Sequence, residues 1–246
     1  MIDMNTSTSE IQDKLGLSHS PVGIFLYEEI PAYALPLKKE TRGCIATEIY
    51  NCSKGKVRVY DAVTTCRPCA SFYLGYSEWI FPGIEKFLSN ENVNGREPER
   101  FLKNPQIAKE FIESYVPEEK RSETVICKPL NMSLKNEEPE AVIFFANADQ
   151  ISALVFLISY GSPAEERIVT QFASACMSML TVPLKYAADG KKKAVWGFHD
   201  LSARLNIPKE VMSLTMTFDL FTEVSQNLSE SFVSTRTWER IKSRNL

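Results

Sequence analysis

The most apolar stretch of the chain, residues 141–160, sets the main constraint on its fold. It is long enough to cross a bilayer, but Asn147, Asp149 and Gln150 stand near its middle. These polar groups would be costly in hydrocarbon, where they find no partners. We therefore predict that the stretch lies in the protein interior as two buried strands, 141–147 and 153–159, and that the protein has no membrane segment.

The composition is that of a globular protein. Of the 246 residues, 44% are hydrophobic and 24% are charged, which suffices for a stable core. We expect a single domain over residues 1–246, with two possible halves at 20–117 and 124–246. The net charge is −3 and the basic residues are scattered, so we expect no nucleic-acid partner. The sequence leaves open whether the protein forms a homo-oligomer.

The start of the chain bears on the redox state of its cysteines. Residues 1–14 are polar and acidic and lack the regions of a secretory signal, which predicts a cytoplasmic protein. In that compartment, cysteines are more often metal ligands, catalytic groups or core residues than disulfide partners. The chain has six of them, Cys44, Cys52, Cys66, Cys69, Cys127 and Cys176.

The pattern of apolar residues predicts an α+β fold with mixed or antiparallel sheets and flanking helices. A helical insertion at 79–117 has Phe101, Ile107, Phe111 and Ile112 as its expected buried face. Ser162 as N-cap and Pro163 at the first helical position predict a helix at 162–180. Further strands are predicted at 22–27, 57–64, 124–129, 194–198 and 212–217, and further helices at 1–16, 43–53, 70–76, 218–228 and 235–244.

A weak internal repeat suggests two pseudo-repeated halves. In each half a strand precedes a cysteine-bearing helix, then a Gly-Lys turn, then another strand. Cys44 and Gly55 hold these positions in the first half, and Cys176 and Gly190 hold them in the second. A pseudo-twofold axis would bring Cys44 and Cys176 to one central site, although chance similarity explains the repeat equally well.

The C-x-x-C motif at Cys66-Arg67-Pro68-Cys69 is the strongest chemical signal. Two thiolates at this spacing can reach one zinc ion, at about 2.3 Å per Zn–S bond, or one iron–sulfur cluster. No second closely spaced pair of Cys or His completes a zinc site, whereas a cluster tolerates scattered ligands. We therefore predict Cys44, Cys66, Cys69 and Cys176 as ligands of an iron–sulfur cluster such as 4Fe-4S, with zinc as the alternative.

Two other readings of these residues stay open. The motif follows a strand and opens a helix, as in thiol-disulfide oxidoreductases. Alternatively, the cysteines are structural and the protein binds a small molecule. Arg67 and Arg204 are candidate cofactor-binding residues, and His199 with Asp200 would suit proton transfer, although a surface loop explains them more simply. No motif assigns a catalytic residue, a reaction or a redox partner.

Several short motifs, in their order along residues 20–241, resemble the uncharacterised archaeal cysteine-rich proteins (domain of unknown function 169). This family has no established activity to carry over. Its pattern has small residues where this chain has Cys69, which leaves Cys44, Cys66 and Cys176 as the shared set. By analogy, three shared thiols imply a cluster with one open iron, suited to sulfur removal or dehydration. The motifs are Pro21-Val22-Gly23-Ile24, Cys44 with Gly55-Lys56, Cys66 with Leu74-Gly75-Tyr76, Cys176 with Pro183, Ala203-Arg204, Ser231-Phe232 and Thr237-Trp238 with Ile241.

Overall fold

The structure is a computed structural model of the chain. It describes residues 4–37, 43–65, 67–114, 122–163 and 165–244. Cys66, one of the predicted ligands, therefore lies outside the described residues, as does most of the segment between the two predicted halves.

Within the described residues, seven strands form one sheet in the order β2-β3-β1-β4-β7-β6-β5. All neighbouring strands are antiparallel except β5 and β6, which are parallel, so the sheet is mixed. The predicted α+β fold is confirmed. The strands are Val22–Tyr27 (β1), Arg58–Asp61 (β2), Thr124–Pro129 (β3), Ala141–Ala146 (β4), Ile168–Val169 (β5), Ala194–Gly197 (β6) and Met212–Thr217 (β7).

Helices cover both faces of this sheet. In the part of the chain that the structure describes, each helix is too short or too polar to cross a membrane. The helices are Met4–Leu15 (α1), Ile45–Cys52 (α2), Pro68–Tyr73 (α3), Ile84–Phe87 (α4), Pro105–Glu113 (α5), Ala148–Ser159 (α6), Val182–Ala188 (α7), Leu201–Arg204 (α8), Phe218–Asn227 (α9) and Arg236–Ser243 (α10); a π-helical turn at Met177–Thr181 leads into α7.

The alternation of side chains along the central strands divides the core into two layers. One face carries Ile143 and Phe145 and packs against α2, α3, the π-helical turn and α7. The other carries Phe144 and Leu214 and packs against α1, α6, α9 and α10. The predicted cysteines that the structure describes all belong to elements on the first face.

The strand order is similar on the two sides of the sheet's centre, although β3, at Thr124–Pro129, falls in the second predicted half and lies on the side of β1 and β2. From its centre outward, β1, β3 and β2 follow one another on one side, and β4, β7 and β6 do so on the other. Cys44 precedes α2 and then β2, and Cys176 precedes the π-helical turn, α7 and then β6. Gly55 and Gly190 end these helical segments with positive φ values of 95° and 64°. The two cysteines therefore hold equivalent places in the topology.

The predicted strand at 153–159 is wrong, because this segment belongs to helix α6. The Asn147 side chain accepts a hydrogen bond from the Gln150 backbone N–H, and the Gln150 side chain accepts one from the Asn147 N–H, both at 3.0 Å. This reciprocal capping box starts a helix. Ile151, Leu154 and Ile158 then lie on its buried face. The polar residues that exclude a membrane span thus mark a helix start.

The predicted helix at 162–180 is also wrong over most of its length. Arg167 is buried and bonds to Glu165 and Glu223, at 2.7 and 2.5 Å. This pairing holds the segment extended, and Ile168–Val169 adds to the sheet beside β6. Helical structure begins only at Ala175. Ser162 therefore does not act as an N-cap, because the tertiary ion pairs outweigh the local signal.

Candidate functional site: a cysteine-lined cavity

A cavity of about 1120 Å³ lies between the first face of the sheet and the helical segment around α4 and α5. Its volume matches the upper end of small-molecule sites, which span roughly 300–1,000 Å³. Five separate parts of the chain contribute to its wall. They are residues 43–45 before and at the start of α2, 67–73 around α3, 80–111 in the helical insertion, 172–176 before the π-helical turn, and 199–202 after β6.

Three of the predicted ligands line this one cavity. Cys44 immediately precedes α2, Cys69 is the second residue of α3, and Cys176 immediately precedes the π-helical turn. The Cys44 and Cys69 side chains are exposed to the cavity, whereas Cys176 is buried in its wall. The structure therefore brings together Cys44, Cys69 and Cys176, although they are far apart in sequence.

Hydrogen bonds hold the described residues between β2 and α3, on either side of Cys66. The Asp61 carboxylate accepts from the backbone N–H groups of Val63 and Thr64, both at 2.8 Å, which ends the strand in a tight turn. The Ser71 hydroxyl donates to the Thr65 carbonyl at 2.7 Å, tying α3 back to this loop. Pro68 at the first helical position then starts α3. These bonds direct the start of α3 towards the cavity.

The loop after β6 faces the cavity from the other half of the sheet. Asp200 accepts hydrogen bonds from the Ser202 N–H at 3.0 Å and hydroxyl at 2.7 Å, which starts α8. Its second oxygen accepts from the Ala175 N–H at 3.4 Å. His199 lies within 3.2 Å of the Thr170 hydroxyl. The loop is therefore tied to the segment that carries Cys176, and His199 and Asp200 belong to the cavity wall.

The thiols of the cavity wall affect one another's protonation. Burial raises the pKa of Cys176 well above its usual range, and Cys44, Cys69 and Asp200 raise it further. The pKa of Cys69 is also raised, first by desolvation among surrounding protein atoms and then by Cys44 and Asp200, while Arg67 acts in the opposite sense. Three thiols and a carboxylate are thus close enough to repel one another as anions.

The two predicted cofactor-binding arginines have different surroundings. Arg67 lines the cavity beside Cys69. Arg204 is not among the cavity residues, and its guanidinium donates to the Lys209 carbonyl at 2.5 Å and to the Val211 carbonyl. It also lies over the Phe198 ring, 5.9 Å from the centroid. Arg204 thus ties together the loop before β7, and nothing in its position supports its predicted cofactor role.

The two remaining described cysteines lie outside the cavity. Cys127 is fully buried in β3, as its apolar surroundings predict. The Cys52 thiol is buried beside it and is within hydrogen-bonding distance of the Cys127 carbonyl, at 3.3 Å. Burial raises the pKa of Cys52 to about 12. Both side chains are core residues with inert thiols.

The aromatic wall of the cavity is not apparent from the sequence. Tyr73, Phe81 and Phe111 line it, although aromatic residues are by default expected in the core. Ile107, predicted on the buried face of its helix, is instead 39% exposed. The run of aromatic residues after Cys69 was the available signal, but it does not say which rings face a cavity.

As a possible metal site, the cavity wall has the donor chemistry but not a complete set of ligands in the described part of the chain. There, no three or more side chains of His, Cys, Asp or Glu are grouped so that they could hold a metal ion. Cys66, three positions before Cys69, is not among these residues. The structure therefore brings the sulfur donors to a common cavity, and their role as ligands stays a prediction.

Fold and site together define an α+β protein with a seven-stranded mixed sheet and a large cavity whose wall carries cysteines. A family model described as uncharacterised ArCR (DUF169) matches residues 10–227, so the chain belongs to that family. No curated protein and no solved structure matches the chain.

Proposed function

We propose that the protein binds a metal or iron–sulfur centre through Cys44, Cys66, Cys69 and Cys176, at the wall of a cavity that takes a small molecule. The observation that carries this proposal is the convergence of Cys44, Cys69 and Cys176 on one cavity. Cys66 stands three positions before Cys69, at the spacing of paired ligands.

Electrostatics favour a cation at this place. Cys44 and Asp200 raise the pKa of Cys69, and these two groups together with Cys69 raise the pKa of Cys176, because the anionic forms repel. A metal cation accepts thiolates as ligands and offsets this repulsion. Without such a cation, the buried Cys176 thiol stays protonated and inert. A positively charged centre would therefore explain why these thiols and the Asp200 carboxylate line the same cavity.

Neighbouring residues would hold the segments that carry the ligands and would contact the bound molecule. Asp200 holds the segment before Cys176, and Pro68 fixes the start of the helix that carries Cys69. A bound centre would supply Lewis-acid or electron-transfer chemistry to a molecule in the cavity. Arg67, beside the thiols, would hold an anionic part of that molecule or donate to a ligand sulfur.

Thiol-disulfide exchange is the competing function. A redox-active cysteine depends on a lowered thiol pKa, which makes it a nucleophile near neutral pH. Desolvation raises the pKa of Cys69, so this thiol is protonated at neutral pH in the absence of a metal. Metal ligation also requires the thiolate, so metal analysis and not this pKa separates the two functions.

The experiment is metal and acid-labile sulfide analysis of protein purified without oxygen, with an absorption spectrum. We expect bound metal in the wild type, and its loss in Cys66→Ser and Cys176→Ser. Cys52→Ala is the matched control, because Cys52 is buried but lies outside the cavity, and it should keep the metal. A wild type without metal, but with a reversible Cys66–Cys69 disulfide, would support the exchange function instead.

A further inference from the structure

Most residues of the aromatic wall are phenylalanines. It includes Phe81, Phe87, Phe101, Phe111 and Phe172, which come from the helical insertion and from the segment before the π-helical turn. The Phe111 and Phe172 rings are in contact, with centroids 4.9 Å apart. Phe172 is 53% exposed, so an aromatic surface is open to a ligand. Aromatic faces pack against flat, apolar molecules.

Two arginines border this aromatic wall. Arg96 and Arg100 line the cavity, and neither forms a side-chain hydrogen bond or ion pair with a residue that the structure describes. Arg100 has a positive φ of 56°, which residues other than glycine seldom adopt. Arginine presents a planar set of donors that matches a carboxylate, sulfonate or phosphate. These side chains are therefore available to an anionic group.

The acidic residues of the wall do not cancel this charge. Asp200 already accepts hydrogen bonds from Ser202 and Ala175. Glu99 lies between the two arginines in sequence but forms no ion pair with either. In the 80–111 part of the wall, the guanidinium groups of Arg96 and Arg100 are therefore accompanied by the single carboxylate of Glu99. The net positive charge of this part of the wall, apart from the thiols, favours an anionic group there.

We infer that the cavity binds a flat, apolar molecule that carries an anionic group, with its rings against Phe111 and Phe172 and its anion held by Arg96 and Arg100. This inference deepens the proposed function by naming the class of molecule taken at the same site. The binding of the molecule is inferred from the cavity alone. What happens to the bound molecule rests on the proposed function.

The test uses two fluorescent probes of similar shape, 8-anilino-1-naphthalenesulfonate, which is an anion, and N-phenyl-1-naphthylamine, which is uncharged. Both are titrated into the full chain as purified. We expect one site per chain and tighter binding of the anion by about tenfold, the effect of one charge-assisted hydrogen bond. The Arg96→Gln/Arg100→Gln variant should lose this preference, while its binding of the uncharged probe stays unchanged.

Two further variants complete the test. Phe111→Ala should weaken binding of both probes, because it removes part of the aromatic wall. Lys103→Ala is the matched control, since Lys103 belongs to the same segment but does not line the cavity. Equal affinity of the wild type for the two probes, or a preference that survives the loss of both arginines, would overturn the inference.

Metal content is measured in the same samples, with circular dichroism to check folding. Binding with the expected preference in protein that holds no metal would show that the proposed function alone has failed. Metal in the wild type without any preference for the anion would show that this inference alone has failed.

Discussion

The Asp200 carboxylate accepts a hydrogen bond from the backbone N–H of Ala175, at 3.4 Å. This bond joins the loop after β6 to the residue that precedes Cys176. The same carboxylate raises the pKa of both Cys69 and Cys176, after burial and the neighbouring thiols. Asp200 therefore has both a positioning and an electrostatic effect on the candidate site.

Asp200→Asn should make Cys69 more reactive in metal-free protein. The substitution removes a negative charge but keeps a side-chain oxygen that accepts hydrogen bonds, so it lowers the thiol pKa with little change of structure. We expect alkylation of Cys69 by iodoacetamide at neutral pH to become several-fold faster, as measured by peptide mass spectrometry. Asp189→Asn, at an exposed position, is the control. An unchanged rate in the Asp200 variant would argue against the electrostatic effect.

Gly197→Ala should destabilise the fold beside the site. A Cβ at this position would lie 2.3 Å from the Ser178 Cβ and Oγ, which is far closer than atoms can approach. We expect the free energy of unfolding to fall by about 1–3 kcal/mol, as for other overpacked cores. Urea unfolding measures the change.

The close approach of Gly197 and Ser178 also provides controls. Gly161→Ala should have little effect, because its Cβ would meet its nearest atom at 3.6 Å. Adding Ser178→Gly to the Gly197 variant should recover part of the lost stability. If the loss of stability in the double variant equals the sum of the losses in the two single variants, the steric explanation is wrong.

Loss of a buried ion pair on the other face of the sheet should also destabilise the protein. The Lys128 Nζ lies 2.6 Å from the Glu137 carboxylate, and the Lys128 side chain is only 2% exposed. Glu137→Gln would leave this ammonium without its counter-charge, and we expect a loss of about 3–5 kcal/mol in urea unfolding. Glu138→Gln, at the neighbouring exposed position, should cost much less. Similar losses in the two variants would contradict a structural role for the pair.

Alkaline pH should destabilise the protein partly through Cys52. Its thiol titrates at about 12 in the folded state and near the ordinary value of 9.0 in the unfolded chain. Between these values the folded state binds more protons, so the free energy of unfolding falls as pH rises. One such group contributes a slope of about 1.4 kcal/mol per pH unit. The contribution is fully present below pH 9 and is lost as pH rises towards 12.

The comparison of Cys52→Ala with the wild type isolates this contribution. The variant should show a shallower fall in the free energy of unfolding above pH 9, whatever its stability at neutral pH. Ser53→Ala, at a neighbouring buried position without a titratable group, should keep the wild-type slope. Equal slopes in wild type and Cys52→Ala would mean that the thiol has no raised pKa.

The sequence predicts those elements whose pattern is local. Strand Val22–Tyr27 is confirmed with its bounds, because a short apolar segment there is bounded by turn residues. Helix α6 is missed since its β-branched and aromatic residues favour a strand, although the capping box at Asn147 and Gln150 marks a helix.

Elements that depend on distant partners are not predictable in this way. The extended segment at Arg167 requires Glu223, which comes from another helix. The aromatic wall depends on how the helical insertion packs over the sheet, and no local pattern reports this packing. The weak internal repeat predicts that Cys44 and Cys176 come to one site, and both line the cavity, but the repeat itself stays a prediction.

X-ray absorption spectroscopy tests the central claim most directly, because it counts the sulfur atoms bound to the metal. It is recorded at the edge of whichever metal is found in the oxygen-free protein. We predict a shell of sulfur ligands at about 2.3 Å in the wild type, which loses sulfur or disappears in Cys176→Ser. A shell made only of nitrogen and oxygen, or a sulfur shell unchanged by loss of any of the four cysteines, would contradict a shared thiolate site.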